Sequence, residues 1–274
     1  METKEQLLTE LSAIEKWEKD QKRLWIWEKV ARLPFKLLDK ITPKVIQNKI
    51  SQLLDEIGNF IQTGGQYLIQ EKSVLNKIQE ANPELVIQSI HDVRSVPIEK
   101  MDFVSESLKN SRANMATVQG ASTGIGGVFT LAVDIPLLLG LSLKTLQDLA
   151  ITYGYDPNEK EERVFIIKCL QFTSSDVVGK QAILNDLSAC YRGQVKNREM
   201  LSQLQGWREV IYTYRDQFGW KKMMQLVPVA GIAFGAFTNR SAILDIAETG
   251  MMLYKKRRIM ERLQEINGQT ESSI

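Results

Sequence analysis

Apolar residues along this chain return at intervals of three and four and do not settle into alternation. Leu7, Leu11, Ile14 and Trp17 begin the pattern, and Leu24 and Trp27 keep it. Such spacing lays one apolar stripe along a helix. Alternating β-branched runs are missing, and Gly and Pro fall mostly where periodic segments end. Three capping signatures mark helix starts: Thr42-Pro43, Asn82-Pro83 and Asp156-Pro157, the last with Glu159 three residues after the cap. The pattern predicts an all-α chain, a multi-helix bundle.

Two segments depart from the amphipathic pattern and are apolar all round. They are Gly124 to Leu143, "GIGGVFTLAVDIPLLLGLSL", and Met223 to Thr238. In the first, Ala116, Gly120 and Gly124 lead in at a spacing of four, and Gly127 extends them. In the second, Gly231 and Gly235 repeat the device. Small residues at this spacing let a neighbouring helix backbone come close. A Gly inside a helix costs about 1 kcal/mol relative to Ala, so close packing should compensate. These residues predict two central Gly/Ala-rich helices, packed on each other or on their neighbours.

The first run is about long enough to span a bilayer. Its centre, Asp134-Ile135-Pro136, instead reads as a break, with Asp134 the cap and Pro136 opening a new helix. Split there, neither half can span. The expectation is two buried helices. The competing picture is two hairpins dipping into one leaflet, with Lys109, Arg112, Lys144, Lys221, Lys222 and Lys255 to Arg258 at their cationic flanks.

Gly120 to Gly127, "GASTGIGG", also imitates the phosphate turn of a short-chain dehydrogenase. That turn needs a buried strand before it and a helix after it. The preceding "KNSRANMATVQ" cannot be such a strand, and no Tyr-xxx-Lys pair exists. No Walker spacing occurs either. No nucleotide cofactor is expected.

Composition adds limits. The 274 residues carry a net charge of +2, which names no polyanionic partner, and no nucleic-acid motif accompanies it. From Lys16 to Lys49, however, ten Lys/Arg face four Asp/Glu. Trp17, Trp25 and Trp27 sit among Lys22, Arg23 and other cations there, the composition of a helix lying among lipid headgroups. The same tryptophans could equally pack on a core. Cys169, Cys190 and His91 are too few for a zinc site, and two thiols suit a reducing cytosol. The N-terminus lacks a signal-peptide core. Glu159, Glu161, Glu162 and Arg163 read as the charged first turn of a helix. Lys255, Lys256, Arg257 and Arg258 either complement a helix C-terminus or meet phosphate or lipid. The expected organisation is a basic amphipathic arm over 1–62, packed on the same domain, a helical core over 63–266 and a polar tail over 267–274.

Two long stretches carry a resemblance. "ATVQGASTGIGGVFTLAVDIPLLLGLSLKTLQDLAITYGYDPNEKEERVF" and "LVPVAGIAFGAFTNRSAILDIAETGMMLYKKRRI" resemble the EcsC family of bacterial proteins, and Trp17-Glu18 fits as well. The resemblance implies a mostly helical protein. It also implies kinship with a founding member encoded beside ABC transporter components, whose biochemical role is not established. It supplies no catalytic set, metal or cofactor. Two functions follow as expectations. One is a non-enzymatic protein peripheral to the cytoplasmic membrane, working with a membrane partner such as an ABC transporter. The other is a soluble protein holding an apolar or lipid ligand between its Gly-rich helices.

Overall fold

Thr3 opens the first helix, α1 (Lys4–Asp20). Its hydroxyl accepts the Gln6 N–H, and the Gln6 side chain accepts the Thr3 N–H in return. The computed structural model describes residues 2–21, 60, 69–124, 128–175, 177–191 and 228–271. Among them follow α2 (Glu71–Ala81), a short 3-10 turn (Asp92–Ser95), α3 (Ile98–Gly124), α4 (Val128–Thr152), α5 (Lys160–Ser174), α6 (Val177–Tyr191) and α7 (Pro228–Glu271). The described residues contain no strand. The bundle is all-α.

The two glycine-bearing helices, α3 and α7, form its axis. They run antiparallel: Asp102 pairs with Lys255, Asn114 with Arg240, and Gly120 lies on Gly235. A Cβ added at Gly120 would stand 2.1 Å from the Gly235 carbonyl oxygen, so the backbones touch. Ala116 is fully buried one turn earlier. α4 packs on both, and Gly250 of α7 sits between Leu146 and Leu149 of α4. α1, α2 and α5 close the outside. Leu7 and Ile14 of α1 join the core, and Lys4 reaches Asn267 on α7. α1 thus packs on α7.

Several expected boundaries are corrected. α4 runs unbroken through Asp134 and Pro136. A proline inside a helix costs about 3 kcal/mol. Just beyond it Leu138, Leu139, Leu143, Leu146 and Leu149 are buried, and each buried Leu contributes about 1.5–3 kcal/mol. Packing therefore outweighs the lost hydrogen bond. Asn82 ends α2 rather than starting a helix: its amide Nδ2 donates to the Ile78 carbonyl. Asp156 accepts the Asn158 N–H and Nδ2, and helix α5 begins later, after Glu159. α7 continues to Glu271, past the predicted tail boundary at 267. Thr42-Pro43, Gly127, Trp25, Trp27, Lys22 and Arg23 lie outside the described residues.

Candidate functional site

The two stretches that carry the resemblance meet at one end of the α3–α7 axis. α4 ends there in a glycine cap: Gly154 has φ +81°, its N–H donates to Ile151, and the Tyr155 N–H donates to Ala150. Arg258 of α7 completes the cap. Its Nε and Nη2 donate to the Tyr153 carbonyl at 3.0 and 2.6 Å, and Nη2 also reaches the Gly154 carbonyl at 3.3 Å. The cation thereby faces the negative end of α4.

Behind this cap lies a buried ionic layer. Glu162, in the first turn of α5, is only 2 % exposed. It accepts the Tyr254 hydroxyl at 2.6 Å and Arg257 Nη1 at 2.7 Å. The Arg257 guanidinium stacks 3.9 Å from the Tyr155 ring centre. Burial, more than Arg257 can offset, raises the Glu162 pKa above the usual carboxylate range. Burial and then Glu162 push the Tyr254 hydroxyl well up. Burial opposes the Arg257 charge, but Glu162 outweighs it and raises the guanidinium further.

Beside the layer, a cleft of about 450 Å³ opens between α3 and α7, lined by Asp102, Phe103, Tyr153, Met251, Met252 and Lys255 among others. Its floor is a second clasp. The Tyr153 hydroxyl donates to Asp102 Oδ1 at 2.7 Å, and Lys255 Nζ donates to Asp102 Oδ2 and Glu10 Oε2, each at 2.6 Å. Tyr153 also stacks on Tyr254, which joins the clasp to the buried layer. Burial, then Asp102, pushes Tyr153 well above its ordinary pKa. Burial works against Lys255, but hydrogen bonds to Asp102 and Glu10 outweigh it and raise its pKa.

Both groups therefore hold their protons tightly at neutral pH, unlike a general base poised near 7. The Cys169 thiol is pushed well up by burial, which suits an inert structural cysteine rather than a nucleophile. Among the described residues no group of His, Cys, Asp and Glu could hold a metal ion. The geometry is that of a clasp between helices.

The site places the predicted residues differently from the sequence reading. Lys255, Lys256, Arg257 and Arg258 turn inward. Lys256 binds Glu18 at 2.7 Å, and Arg258 is 3 % exposed and also meets Glu261. Carboxylates of α1, α3, α5 and α7 pair with them within the bundle. Trp17 packs on the core: its ring lies on Phe172, and its N–H donates to Glu248. Gly124 and Gly231 fall on α3 and α7, with surroundings outside the described residues. Glu162 lies in the first turn of its helix as expected, but it is buried there. Its spacing held the missed signal, since Glu162, Phe165, Ile166 and Cys169 make one stripe and all are buried.

Toward the glycine contact the interior holds another polar group. Asp148 is buried, and Arg112 donates to its Oδ2 at 3.0 and 2.6 Å. Lys144 lies 3.5 Å from Oδ1. Burial raises the Asp148 pKa despite both cations. The adjacent Gln147 is fully buried, with neither amide atom hydrogen-bonded. Nearby, large apolar side chains stand exposed: Met115 and Val118 on α3, Leu137 on α4 and Phe237 on α7.

Against known proteins, the model of the EcsC protein family matches residues 9–259. An uncharacterized protein YdbA of Bacillus subtilis (strain 168) is 60 % identical over 270 residues, covering 98 % of this chain and 99 % of that one. Protein EcsC of the same organism is 27 % identical over 215 residues, 69 % of this chain and 86 % of its own. No solved structure matches.

Proposed function

We propose that this chain, which belongs to the EcsC protein family, is a non-enzymatic helical protein that works at the cytoplasmic face of the membrane with a membrane partner. The observation that carries the reading is the division of labour along α3 and α7. One end spends its cations and tyrosines on internal clasps. The other leaves Val118, Leu137 and Phe237 half or more exposed. Exposed apolar side chains such as these favour contact with an apolar surface. No helix among the described residues is long and apolar enough to cross a membrane, so the contact is peripheral in this reading. An ABC transporter is the partner that the family resemblance favours. A lipid held between the glycine faces has no room where Gly120 touches Gly235, which argues against the ligand-binding alternative.

Cell fractionation tests the reading. The full chain is expected with the membranes and is released by high salt. Recovery wholly in the soluble fraction, together with no binding to anionic vesicles, defeats it.

A further inference from the structure

The cleft between α3 and α7 offers chemistry that its clasp does not use. Glu99, Phe103 and Glu106 follow one another along α3 at spacings of four and three, so they share one face. All three are exposed, Phe103 by 68 %. Across from them stand Met251 and Met252 of α7, both partly exposed. The space of about 450 Å³ is thus walled by two thioethers and a bare ring, with a carboxylate one turn to either side of the ring.

The two flanking carboxylates are available to a partner. Glu99 has no hydrogen-bond or ion-pair partner among the described residues. Glu106 meets Lys109 at 2.7 Å and Asn110 at 3.5 Å, but its side chain is half exposed, and such surface pairs hold weakly. Asp102 is taken by Tyr153 and Lys255. Lys100 also lines the cleft, turned about 100° round the helix from Glu99. With Glu10, which shares Lys255, and with Lys109, four carboxylates stand against three ammonium groups. Negative charge prevails around an apolar lining.

We infer that this cleft receives a basic amphipathic helix of the membrane partner, laid along the groove between α3 and α7. Its apolar side chains cover Phe103, Met251 and Met252, and its lysines or arginines meet Glu99 and Glu106. The inference rests on the membrane reading above and names the segment that makes the contact. Spacing, lining and charge select this occupant. The two carboxylates lie about 10 Å apart along α3. A helix laid alongside offers cations at i and i+7, with apolar anchors at i+3 or i+4 between them. Methionine walls adapt to such anchors, as Met-rich binding surfaces do. Cytoplasmic segments of membrane proteins carry an excess of Lys and Arg. The same negative rim disfavours lipid as the occupant, because the cytoplasmic leaflet is itself anionic.

The test uses the full chain and two fluorescent helical peptides of about 15 residues. Both carry the same leucine stripe, flanked by lysine in one and by glutamate in the other. Anisotropy should show the lysine peptide bound, more weakly as salt rises, and the glutamate peptide free. Phe103→Ser should weaken binding about tenfold. Glu99→Gln/Glu106→Gln should weaken it about threefold and flatten its salt dependence. Glu84→Gln/Val86→Ser makes the same kinds of change at exposed positions on the loop after α2, and should leave binding unchanged. Carbodiimide coupling should join the peptide's lysines to Glu99 or Glu106, which reads the site without any substitution.

No binding of the lysine peptide at about millimolar concentration, an equal loss in the loop variant, or coupling only at other carboxylates would overturn the inference. So would a wild-type dimer in sedimentation velocity that Phe103→Ser dissolves, which would make a second copy the occupant. None of these outcomes touches the membrane reading, which stands or falls with the cell fractionation. A wholly soluble chain that still binds the peptide at Glu99 and Glu106 would defeat that reading and keep the cleft as a helix site.

Discussion

Gly120→Ala should destabilise the protein, although the same change in most helices stabilises. The new Cβ would meet the Gly235 carbonyl oxygen at 2.1 Å, its carbon at 2.5 Å and the Ala236 nitrogen at 2.9 Å. All three are backbone atoms, so no rotamer can relieve the contact. Ordinary contact begins near 3.4 Å, so α7 must withdraw by about 1.3 Å. A gap of 0.5–1 Å already forfeits about a quarter to a half of each dispersion well. Overpacking of this kind costs about 1–3 kcal/mol, and a backbone obstruction belongs at the upper end. Alanine's better helix propensity returns about 1 kcal/mol. The net loss is about 2 kcal/mol, or a fall in Tm of roughly 4–8 °C. Two controls share the chemistry. At Gly250 the obstacles are the tips of Leu146 and Leu149 at 2.8 Å, which can rotate, so alanine there should change stability by less than about 1 kcal/mol. At Gly140 nothing lies within 4 Å, so alanine should gain about 1 kcal/mol. Urea denaturation followed by far-UV circular dichroism ranks the three. A Gly120→Ala protein as stable as wild type, or a Gly140→Ala protein that loses as much, refutes the argument.

Three further outcomes are expected. Arg258→Met should cost about 1–3 kcal/mol for each carbonyl it strands, Tyr153 first, because the buried guanidinium donates to it twice; thermal melts read the loss. Gln147→Met should be neutral or stabilising by about 1 kcal/mol, since the amide it removes is buried and unpaired; a drop of several degrees in Tm would expose a partner. Glu162 has a folded pKa raised by burial, so the native state holds a proton that the unfolded chain has lost. Its contribution makes stability fall as pH rises from the ordinary value of 4.5 through the raised one. Glu162→Gln should remove that slope, read as the difference between urea midpoints of the two proteins across acidic to neutral pH; parallel curves would contradict it.

Local chemistry explains which features were legible beforehand. Helices were readable because their apolar spacing is set within a few residues, and the all-α class followed. The glycines at 120 and 235 were readable as contact positions, since no other residue type lets backbones touch. Helix boundaries were less legible. Asp134 and Pro136 carry a strong local start signal, yet α4 passes through them, because the leucines that follow are buried by partners distant in sequence. Glu162 and the Lys255 to Arg258 run look solvated for the same reason: a charge reads as exposed until its partner is known.

The sequence by itself determined that this chain is helical, that two of its helices are lean enough to touch, and that it carries no familiar catalytic set. Only the tertiary structure decided where its charges go. It turned the basic run in the second half of α7 inward onto Asp102, Glu10, Glu18 and Glu162, and left Val118, Leu137 and Phe237 exposed. The physical reason is that a charge costs little in water and much in a core, so its meaning depends on a neighbour. That neighbour can lie 238 residues away, as Glu18 does from Lys256, beyond the reach of any local pattern.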